Sequence, residues 1–333
     1  MSLRVLFSLI GCACVAAALA APGAGAKPTT LAELRVEGPD GALDRGTWYV
    51  TGTEEIRKSM PGDQCIRDQG RLKFFNATAL GIPQTGSEHR KSLRQVRVRE
   101  DEAGPFVCEI GSISGRPFTD PNGFSGWQYW QNLVSGTTSA DLARLETGDQ
   151  VLWVFSDFGP SGTNTGEALE LVGVPPRDPD GTFTVQVIGH AFDGTQTPAD
   201  GATIEGASSV TPLGGGSYEV TVPQGRTTLT ATRGIDIPSN HVKACFEQSP
   251  NDCPSAHGRT IFGSRFGDRI KGTAGWDKIT TGRGRDRINL RAGGRDKADC
   301  GPGRDKVRVS GDADGVRIKR NCEVVIAQLE QAG

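Results

Sequence analysis

Histidine and catalytic motifs are scarce in this chain of 333 residues. The four histidines are far apart in the sequence, and neither an H-E-x-x-H pair nor a G-x-x-x-x-G-K-[ST] phosphate loop occurs. Gly123-Phe-Ser-Gly-Trp127 lacks the last glycine of a nucleophile elbow. We therefore expect a protein without catalytic activity and treat a hydrolase built from distant residues as the weaker alternative. The histidines are His89, His190, His241 and His257.

Methionine and long helical patterns are also rare, whereas glycine and proline are abundant. The chain has 2 Met, 46 Gly and 19 Pro, a composition that favours short strands joined by turns. Its length exceeds that of one ordinary domain. We predict a mainly β fold divided into two or three domains.

The N-terminus reads as a secretory signal peptide over residues 1–26. Arg4 precedes an uncharged apolar stretch, Val5 to Ala20, and small residues follow up to Ala26. A membrane anchor is the alternative, but the run is barely of spanning length and ends at Pro22 without a basic stop. Leu9-Ile-Gly-Cys12 resembles a lipobox, yet a cut there would leave an apolar tail on the mature chain. We expect a secreted, extracellular or cell-surface protein with no transmembrane segment after cleavage.

Six cysteines remain after signal cleavage, in a compartment that favours disulfides. Six cysteines allow fifteen connectivities, so the pairing rests on their order along the chain. Zinc is the competing use of these residues, but neither a CxxC pair nor a histidine partner supports it. We expect neighbours to pair within their own domains: Cys65 with Cys108, Cys245 with Cys253 and Cys300 with Cys322.

Charge is distributed unevenly along the chain. Residues 258–323 contain 17 Lys and Arg against 9 Asp and Glu, a net of +8, whereas residues 27–257 contain 19 against 29, a net of −10. This change of sign predicts a domain boundary near residue 257.

The first mature segment, residues 27–165, alternates apolar and polar side chains in Ala32–Glu37 and Gln95–Arg99, which predicts half-buried strands. Gly126-Trp-Gln-Tyr-Trp130 is followed by a Gly148-Asp149 turn and by a strand that ends in Trp153. This pattern resembles the transcobalamin-like domain of unknown function found in secreted bacterial proteins, and the resemblance implies a β-rich domain.

Aromatic residues in that motif have two possible roles. Trp127, Tyr129, Trp130 and Trp153 could form a stacking platform for a sugar ring or a corrin. The alternation of side chains along a strand instead places Trp127 and Tyr129 on one face and Trp130 on the other, which favours packing in a core. We favour the core.

The second segment, residues 166–250, repeats short alternating runs such as Thr182–Ile188, Ser217–Val222 and Thr227–Thr232, separated by glycine-rich turns. Strands at this spacing predict a sandwich. The segment resembles the immunoglobulin-like repeats that serve as spacers in bacterial surface proteins, and the resemblance implies a spacer role.

The third segment, residues 258–323, carries regularly spaced aspartates. The steps between them are nine, nine, ten, nine and nine residues, an aliphatic residue or alanine stands two positions after each, and a glycine stands two positions before four of them. The pattern resembles the nonapeptide G-G-x-G-x-D-x-U-x of RTX calcium-binding repeats, which wind into a parallel β-roll. The aspartates are Asp268, Asp277, Asp286, Asp296, Asp305 and Asp314.

The resemblance implies that these six aspartates bind Ca²⁺, which takes six to eight oxygen ligands. If two nonapeptides make one coil, as in the family, the pairs are Asp268 with Asp286 and Asp286 with Asp305 on one edge. On the other edge, Asp277 pairs with Asp296 and Asp296 with Asp314. The consecutive glycines of the family are missing, however, and a basic residue follows five of the six aspartates. We therefore also consider that arginine side chains neutralise the aspartates in place of the ion.

Residues directly after the aspartates are expected to point outward and to form basic stripes. Arg269, Arg287 and Lys306 make up one stripe, and Lys278 and Lys297 make up the other. Such stripes could adhere to anionic cell-wall polymers, lipid head groups or nucleic acid, although no specific nucleic acid is implied, and a solvated face without a partner is the alternative. The sequence thus leaves two main functions, a calcium-binding structural or adhesive module and a metal-independent adhesion or spacer protein.

Overall fold

Strands account for most of the regular structure in the computed structural model of this protein. The structure describes residues 29–52, 54–59, 65, 68–74, 76–101, 104–116, 123–158, 166–175, 178, 180–246, 258–290, 295–310 and 315–328. One α-helix, α1 (Gly81–His89), and one 3-10 turn (Lys91–Leu93) lie within these ranges. The predicted mainly β class is confirmed. None of the described helices is long and apolar enough to cross a bilayer, and the predicted signal peptide lies outside the described residues.

The N-terminal segment forms two sheets that share one core. One follows the order β2-β1-β10-β8-β9, with β1 antiparallel to β2 and parallel to β10, and the other follows β4-β3-β5-β6-β7. The core includes Leu34 and Val36 of β1 and Leu80 and Ile82 at the start of α1. The strands are β1 (Thr30–Gly38), β2 (Gly41–Thr51), β3 (Glu54–Ser59), β4 (Asp68–Phe74), β5 (Arg97–Asp101), β6 (Gly104–Ile110), β7 (Ile113–Ser114), β8 (Phe124–Gln131), β9 (Val134–Ser135) and β10 (Gln150–Phe158).

The aromatic residues of the Gly-Trp motif are buried. Trp127 and Trp153 join the core, where their ring nitrogens donate hydrogen bonds to the carbonyl oxygens of Ile113 and Ala79 at 3.0 and 2.9 Å. Tyr129 is 9% exposed. These contacts support the core role over an exposed stacking platform.

Trp130 occupies the opposite face of β8 and joins the first segment to the second. It is fully buried in a small cluster with Leu152, Ala168 and Ile237, and its ring lies 5.2 Å from that of Phe192. Because side chains alternate between the two faces of β8, Trp127 points into the core and Trp130 into the interface between segments.

The middle segment consists of two antiparallel sheets around one core. The first has the order β11-β12-β16-β15, with β13 added to β12, and the second has the order β14-β17-β18. Tyr218 is buried in the core, and its hydroxyl donates to Ala199 O at 2.6 Å. The strands are β11 (Ala168–Val172), β12 (Thr182–His190), β13 (Gln196–Pro198), β14 (Thr203–Glu205), β15 (Ser209–Gly214), β16 (Ser217–Thr221), β17 (Gly225–Thr232) and β18 (Val242–Phe246).

The C-terminal segment winds as a solenoid, because successive short strands alternate between two parallel sheets. Strands β19, β21, β23 and β25 follow one another in the first sheet, and β20, β22, β24 and β26 follow one another in the second. Aliphatic side chains such as Ile270, Ile279 and Ile288 fill the space between the sheets. The strands are β19 (Thr260–Phe262), β20 (Arg269–Lys271), β21 (Lys278–Thr280), β22 (Arg287–Leu290), β23 (Lys297–Asp299), β24 (Lys306–Ser310), β25 (Arg317–Ile318) and β26 (Val324–Gln328).

The register of the last predicted repeat is wrong. Lys297 pairs with Arg317 and Ala298 with Ile318, so Val316 stands opposite Asp296, two residues later than the sequence spacing indicates. Asp314 lies outside the described residues. Backbone pairing with the preceding coil sets the register at this strand, and a nine-residue count does not report that pairing.

The solenoid continues the N-terminal sheet. Strand β19 pairs in parallel with β2, Ile261 opposite Trp48 and Phe262 opposite Tyr49, so β2, β19, β21, β23 and β25 belong to one nine-stranded sheet. The first strand of a solenoid would otherwise present unpaired backbone groups. The N-terminal segment thus covers the first coil, although the middle segment separates the two in sequence.

Two of the predicted disulfides lie fully within the described residues. Cys65 is bonded to Cys108, and Cys300 is bonded to Cys322. Cys245 is also disulfide-bonded, and its predicted partner Cys253 lies outside the described residues. The pairing by neighbours is confirmed for the first two bridges.

Candidate functional site

The repeat aspartates lie inside the solenoid. Asp268, Asp277, Asp286, Asp296 and Asp305 are at most 2% exposed. Each precedes a short strand, and the residue two positions later also points inward, as period-two alternation requires. The carboxyl groups therefore line the two edges of the narrow aliphatic core.

Along one edge, each carboxylate after Asp268 receives a hydrogen bond from the coil before it. The backbone N–H of Asp268 donates to Asp286 Oδ1, and that of Asp286 donates to Asp305 Oδ1, both at 2.8 Å. The series ends with Asp305 N–H donating to Glu323 Oε2 at 2.6 Å. The carboxylates thus tie successive coils together through the backbone.

The other edge follows the same rule. Asp277 Oδ1 accepts the backbone N–H of Arg259 at 2.7 Å, and Asp296 Oδ1 accepts that of Asp277 at 2.8 Å. These bonds confirm that aspartates two repeats apart adjoin each other along both edges. Arg259 occupies an aspartate position in the first coil, as the sequence register indicates.

Glu323 is a member of the ladder that the nonapeptide pattern missed. It stands 18 residues after Asp305 and two before Val325, which is opposite Val307 in the neighbouring strand. The carboxyl group followed two positions later by a β-branched residue was the signal for it. As a glutamate, it falls outside a pattern that is defined by aspartate.

The first coil differs from the later ones in the donors that reach the second oxygen of each aspartate. Asp268 accepts both the backbone N–H and the hydroxyl of Ser264 at 2.7 Å. Asp277 accepts the same pair of donors from Thr273, at 2.5 and 2.9 Å. Both carboxylates are therefore fully engaged by protein donors.

Glycine replaces the hydroxyl residue four positions before Asp286 and Asp305. A Cβ at Gly282 would lie 2.1 Å from the carbonyl oxygen of Ser264, and a Cβ at Gly301 would lie 2.2 Å from that of Gly282. The coils approach too closely at this edge for serine or threonine. Serine or threonine at these two positions therefore cannot supply the hydroxyl that Ser264 and Thr273 supply in the first coil.

Three carboxylate oxygens in the later coils have no hydrogen-bond partner. They are Oδ2 of Asp286, Asp296 and Asp305, all buried. Burial raises the pKa of Asp286 and of Asp296 to about 6 and raises the pKa of Asp305 as well. An unpaired buried charge is costly, so these oxygens favour a proton or a cation.

Calcium suits the three unpartnered oxygens better than it suits the first coil. Anionic oxygen ligands match a hard cation, whereas both oxygens of Asp268 and Asp277 are already occupied by protein donors. No group of three or more His, Cys, Asp or Glu side chains that could hold an ion occurs among the described residues. Backbone carbonyls and water would have to complete any coordination shell at Asp286, Asp296 and Asp305.

The described arginine side chains do not pair with the repeat aspartates. Within the described part of the chain, no ion pair joins Arg or Lys to any of the five buried aspartates. Arg285, Arg295 and Arg304 are exposed. The described contacts do not support guanidinium neutralisation, because side chains next to the aspartates in sequence point outward and backbone amides contact one oxygen of each inner carboxylate.

A cationic face covers the sheet of β20, β22 and β24. Its outward positions carry Arg269 and Lys271 on β20, Arg287 and Asn289 on β22, and Lys306 and Arg308 on β24. The five cations are exposed, and these outward positions include no carboxylate. We call these five side chains the cationic face.

The opposite sheet is less uniform. Lys278, Lys297 and Arg317 form its outward column and are exposed. Beside that column, Asp299 accepts a hydrogen bond from Lys319 Nζ at 2.6 Å and one from Asn321 at 2.7 Å. Positive charge is therefore partly neutralised on this side.

The histidines do not form a common site among the described residues. His89 stacks with Phe262, with ring centroids 4.7 Å apart, and His190 Nε2 lies 3.0 Å from Glu170 Oε2. His241 lines a cleft between segments, and His257 lies outside the described residues.

No protein-family model matches the chain, and no significant match was found among curated proteins or solved structures.

Proposed function

We propose that this chain is a secreted or cell-surface, non-catalytic modular protein that adheres to anionic cell-wall polymers through the cationic face. In this proposal, residues 27–165 form a transcobalamin-like domain, residues 166–250 an immunoglobulin-like spacer and residues 258–323 an RTX-type β-roll. The signal-like N-terminus and the disulfides support export.

The cationic face carries the proposal. Neighbouring strands of a sheet lie about 4.8 Å apart, and alternate residues of one strand about 6.7 Å apart. Arg269, Arg287 and Lys306 therefore form a fixed row, with Lys271 and Arg308 beside it. A rigid array of cations loses little conformational entropy at the backbone when it meets a polymer that bears phosphate or uronate groups.

Retention on immobilised polyphosphate and polygalacturonate tests this function. Replacing Arg269→Gln, Arg287→Gln and Lys306→Gln together should weaken binding about 10- to 100-fold, because each lost contact is worth roughly 0.5–1 kcal/mol. Binding of the unaltered chain should also fall as salt is raised, since these charges are exposed.

A matched control comes from the opposite sheet. Lys278→Gln, Lys297→Gln and Arg317→Gln remove the same charge from another surface and should change binding by less than about threefold. Equal losses in the two triple variants would mean that net charge alone attracts the polymer. Unchanged retention in the first variant would refute adhesion through the cationic face.

Calcium binding is the second candidate, favoured by the three unpartnered oxygens. Asp286 and Asp305 on one edge and Asp296 on the other would contribute ligands to separate ions, which would neutralise carboxylate oxygens that the protein leaves without donors. Calorimetric titration of Ca²⁺ into the chelator-treated full chain tests it. Saturable heat that is lost in Asp286→Asn/Asp296→Asn and kept in Asp299→Asn would support calcium, and no heat in the unaltered chain would exclude it.

A further inference from the structure

All three segments contribute to one cleft of about 710 Å³. Strands β1 and β2 form its floor, residues 240–243 enter from the middle segment, and residues 258–260 enter from the start of the solenoid. Its volume falls within the range of small-molecule sites, which often lie between domains. The cleft exists only because the solenoid returns to the edge of β2.

Cations outnumber carboxylates around this cleft. Arg35, Arg45, Lys243 and Arg259 line it together with Arg90, whereas Glu33 is the one carboxylate among its described lining residues. Burial raises the pKa of Glu33, which disfavours its charged form.

Two of these cations are already engaged beneath the cleft. Arg90 Nε lies 3.2 Å from Asp44 Oδ2, and Arg35 Nε lies 3.4 Å from Glu37 Oε1. Arg45, Lys243 and Arg259 have no such ion pair within the described ranges. These three side chains supply the excess positive charge of the cleft, although Arg259 also interacts with Glu33 and Arg45 with Glu37 through space.

Arg259 is held in a fixed orientation. Its guanidinium lies 3.6 Å from the centroid of the Trp48 ring, and Trp48 itself is 7% exposed. A guanidinium stacked on a ring retains its N–H donors in the plane, where an oxyanion can accept two of them. Trp48 therefore restricts the side chain that would contact the ligand.

His241 adds a buried polar atom without a partner. Its Nδ1 is inaccessible to solvent and has no hydrogen bond. Burial, together with the charges of Arg35 and Arg45, lowers the pKa of His241 to about 4. The imidazole is therefore neutral near pH 7 and can donate one N–H to an acceptor.

We propose that this cleft binds a small organic oxyanion, a carboxylate or phosphate group held by Arg45, Lys243 and the edge of Arg259 next to the imidazole of His241. The apolar side chains of Leu133 and Leu152, which also line the cleft, would contact the body of such a molecule. The same chemistry is found in a free metabolite and in the terminal group of an anionic polymer.

Titration of the full chain with inorganic phosphate, and separately with malonate, tests the site. Calorimetry measures affinity, and the imidazole NMR signals follow His241, assigned with His241→Gln. A bound anion next to the ring should raise the pKa of His241 by about one unit or more. Arg45→Gln/Lys243→Gln should weaken binding about tenfold or more. Saturation by one anion alone would identify a phosphate or a carboxylate ligand.

Arg285→Gln/Arg304→Gln is the matched control, since it removes two exposed charges from the turns of the solenoid. Its affinity should stay within about twofold of the unaltered chain. A free small anion and a polymer end are separated by comparing malonate with short oligogalacturonate, which also offers a carboxylate. Failure of all these anions to shift the His241 signal at millimolar concentration, or equal weakening in the control, would overturn the proposal.

Discussion

Replacing Asp286 and Asp296 by asparagine tests whether unpartnered carboxylates limit the stability of the solenoid. Each keeps one oxygen that accepts a backbone N–H from the neighbouring coil, and each has a buried second oxygen without a donor. Asparagine retains the accepting oxygen and removes the charge. The double variant Asp286→Asn/Asp296→Asn therefore changes the electrostatics with little change in shape.

The magnitude follows from the two pKa values. Burial raises both to about 6 in the folded chain, against about 3.9 for an unfolded aspartate. The folded state then holds these protons more tightly, so its stability is fully present below about pH 4 and is lost as pH rises through about 6. A difference of about two between the folded and unfolded pKa corresponds to about 3 kcal/mol. Because solvent lies close to a solenoid two sheets thick, we expect about 1–2 kcal/mol for each carboxyl.

Urea unfolding of the full chain in EDTA, followed by circular dichroism at about pH 5 and about pH 8, measures the effect. The unaltered chain should lose stability between these values, and the double variant should lose about 1–2 kcal/mol less, because about half of the effect is already lost at pH 5. The side-chain amide groups of the two new asparagines have no acceptor, so they lower the stability of the variant at both pH values. The difference between the two pH values is therefore the informative quantity.

Asp299→Asn is the control for this experiment. Hydrogen bonds from Lys319 and Asn321 lower the pKa of Asp299, so its contribution is already present at pH 5 and the slope up to pH 8 should not change. An identical pH dependence in the unaltered chain and in Asp286→Asn/Asp296→Asn would refute the view that these carboxyls are energetically unsatisfied.

Three further changes probe the solenoid. Thr273→Val removes one hydroxyl donor from Asp277 and should lower the unfolding free energy by about 1 kcal/mol in the same urea assay, with no loss expected if water replaces the donor. Cys300→Ser/Cys322→Ser opens a loop of 22 residues and should cost about 2–4 kcal/mol; an unchanged thermal midpoint would contradict this. Ile288→Ala, at a side chain 2% exposed, should cost about 2–5 kcal/mol, and a loss below 1 kcal/mol would indicate a loosely packed core.

Because the solenoid pairs with β2, an isolated solenoid fragment is unsuitable for binding measurements. Ile261 and Phe262 pair with Trp48 and Tyr49, and the ring of Phe262 stacks on that of Tyr49 at 5.8 Å. A fragment that begins after the middle segment would expose this edge and these rings to water. Measurements of ion or polymer binding therefore belong on the full chain.

The local sequence pattern determined which repeat side chains point inward and which cysteines pair. Period-two alternation placed Asp268 and Ile270 inside and Arg269 outside, and the order of the cysteines indicated two bridges that the structure contains. These features depend on neighbours within a few residues or within one domain, which is why they can be predicted from the sequence.

Tertiary structure decided how distant parts meet. The pairing of β19 with β2, the register of Arg317 and the cleft around His241 depend on strands far apart in the chain, for which alternation carries no information. The number of donors at each aspartate likewise depends on how closely the coils stack, since a Cβ at Gly282 would meet the coil before it. Sequence spacing located the carboxylates, and packing between coils determined which of their oxygens remain without a partner.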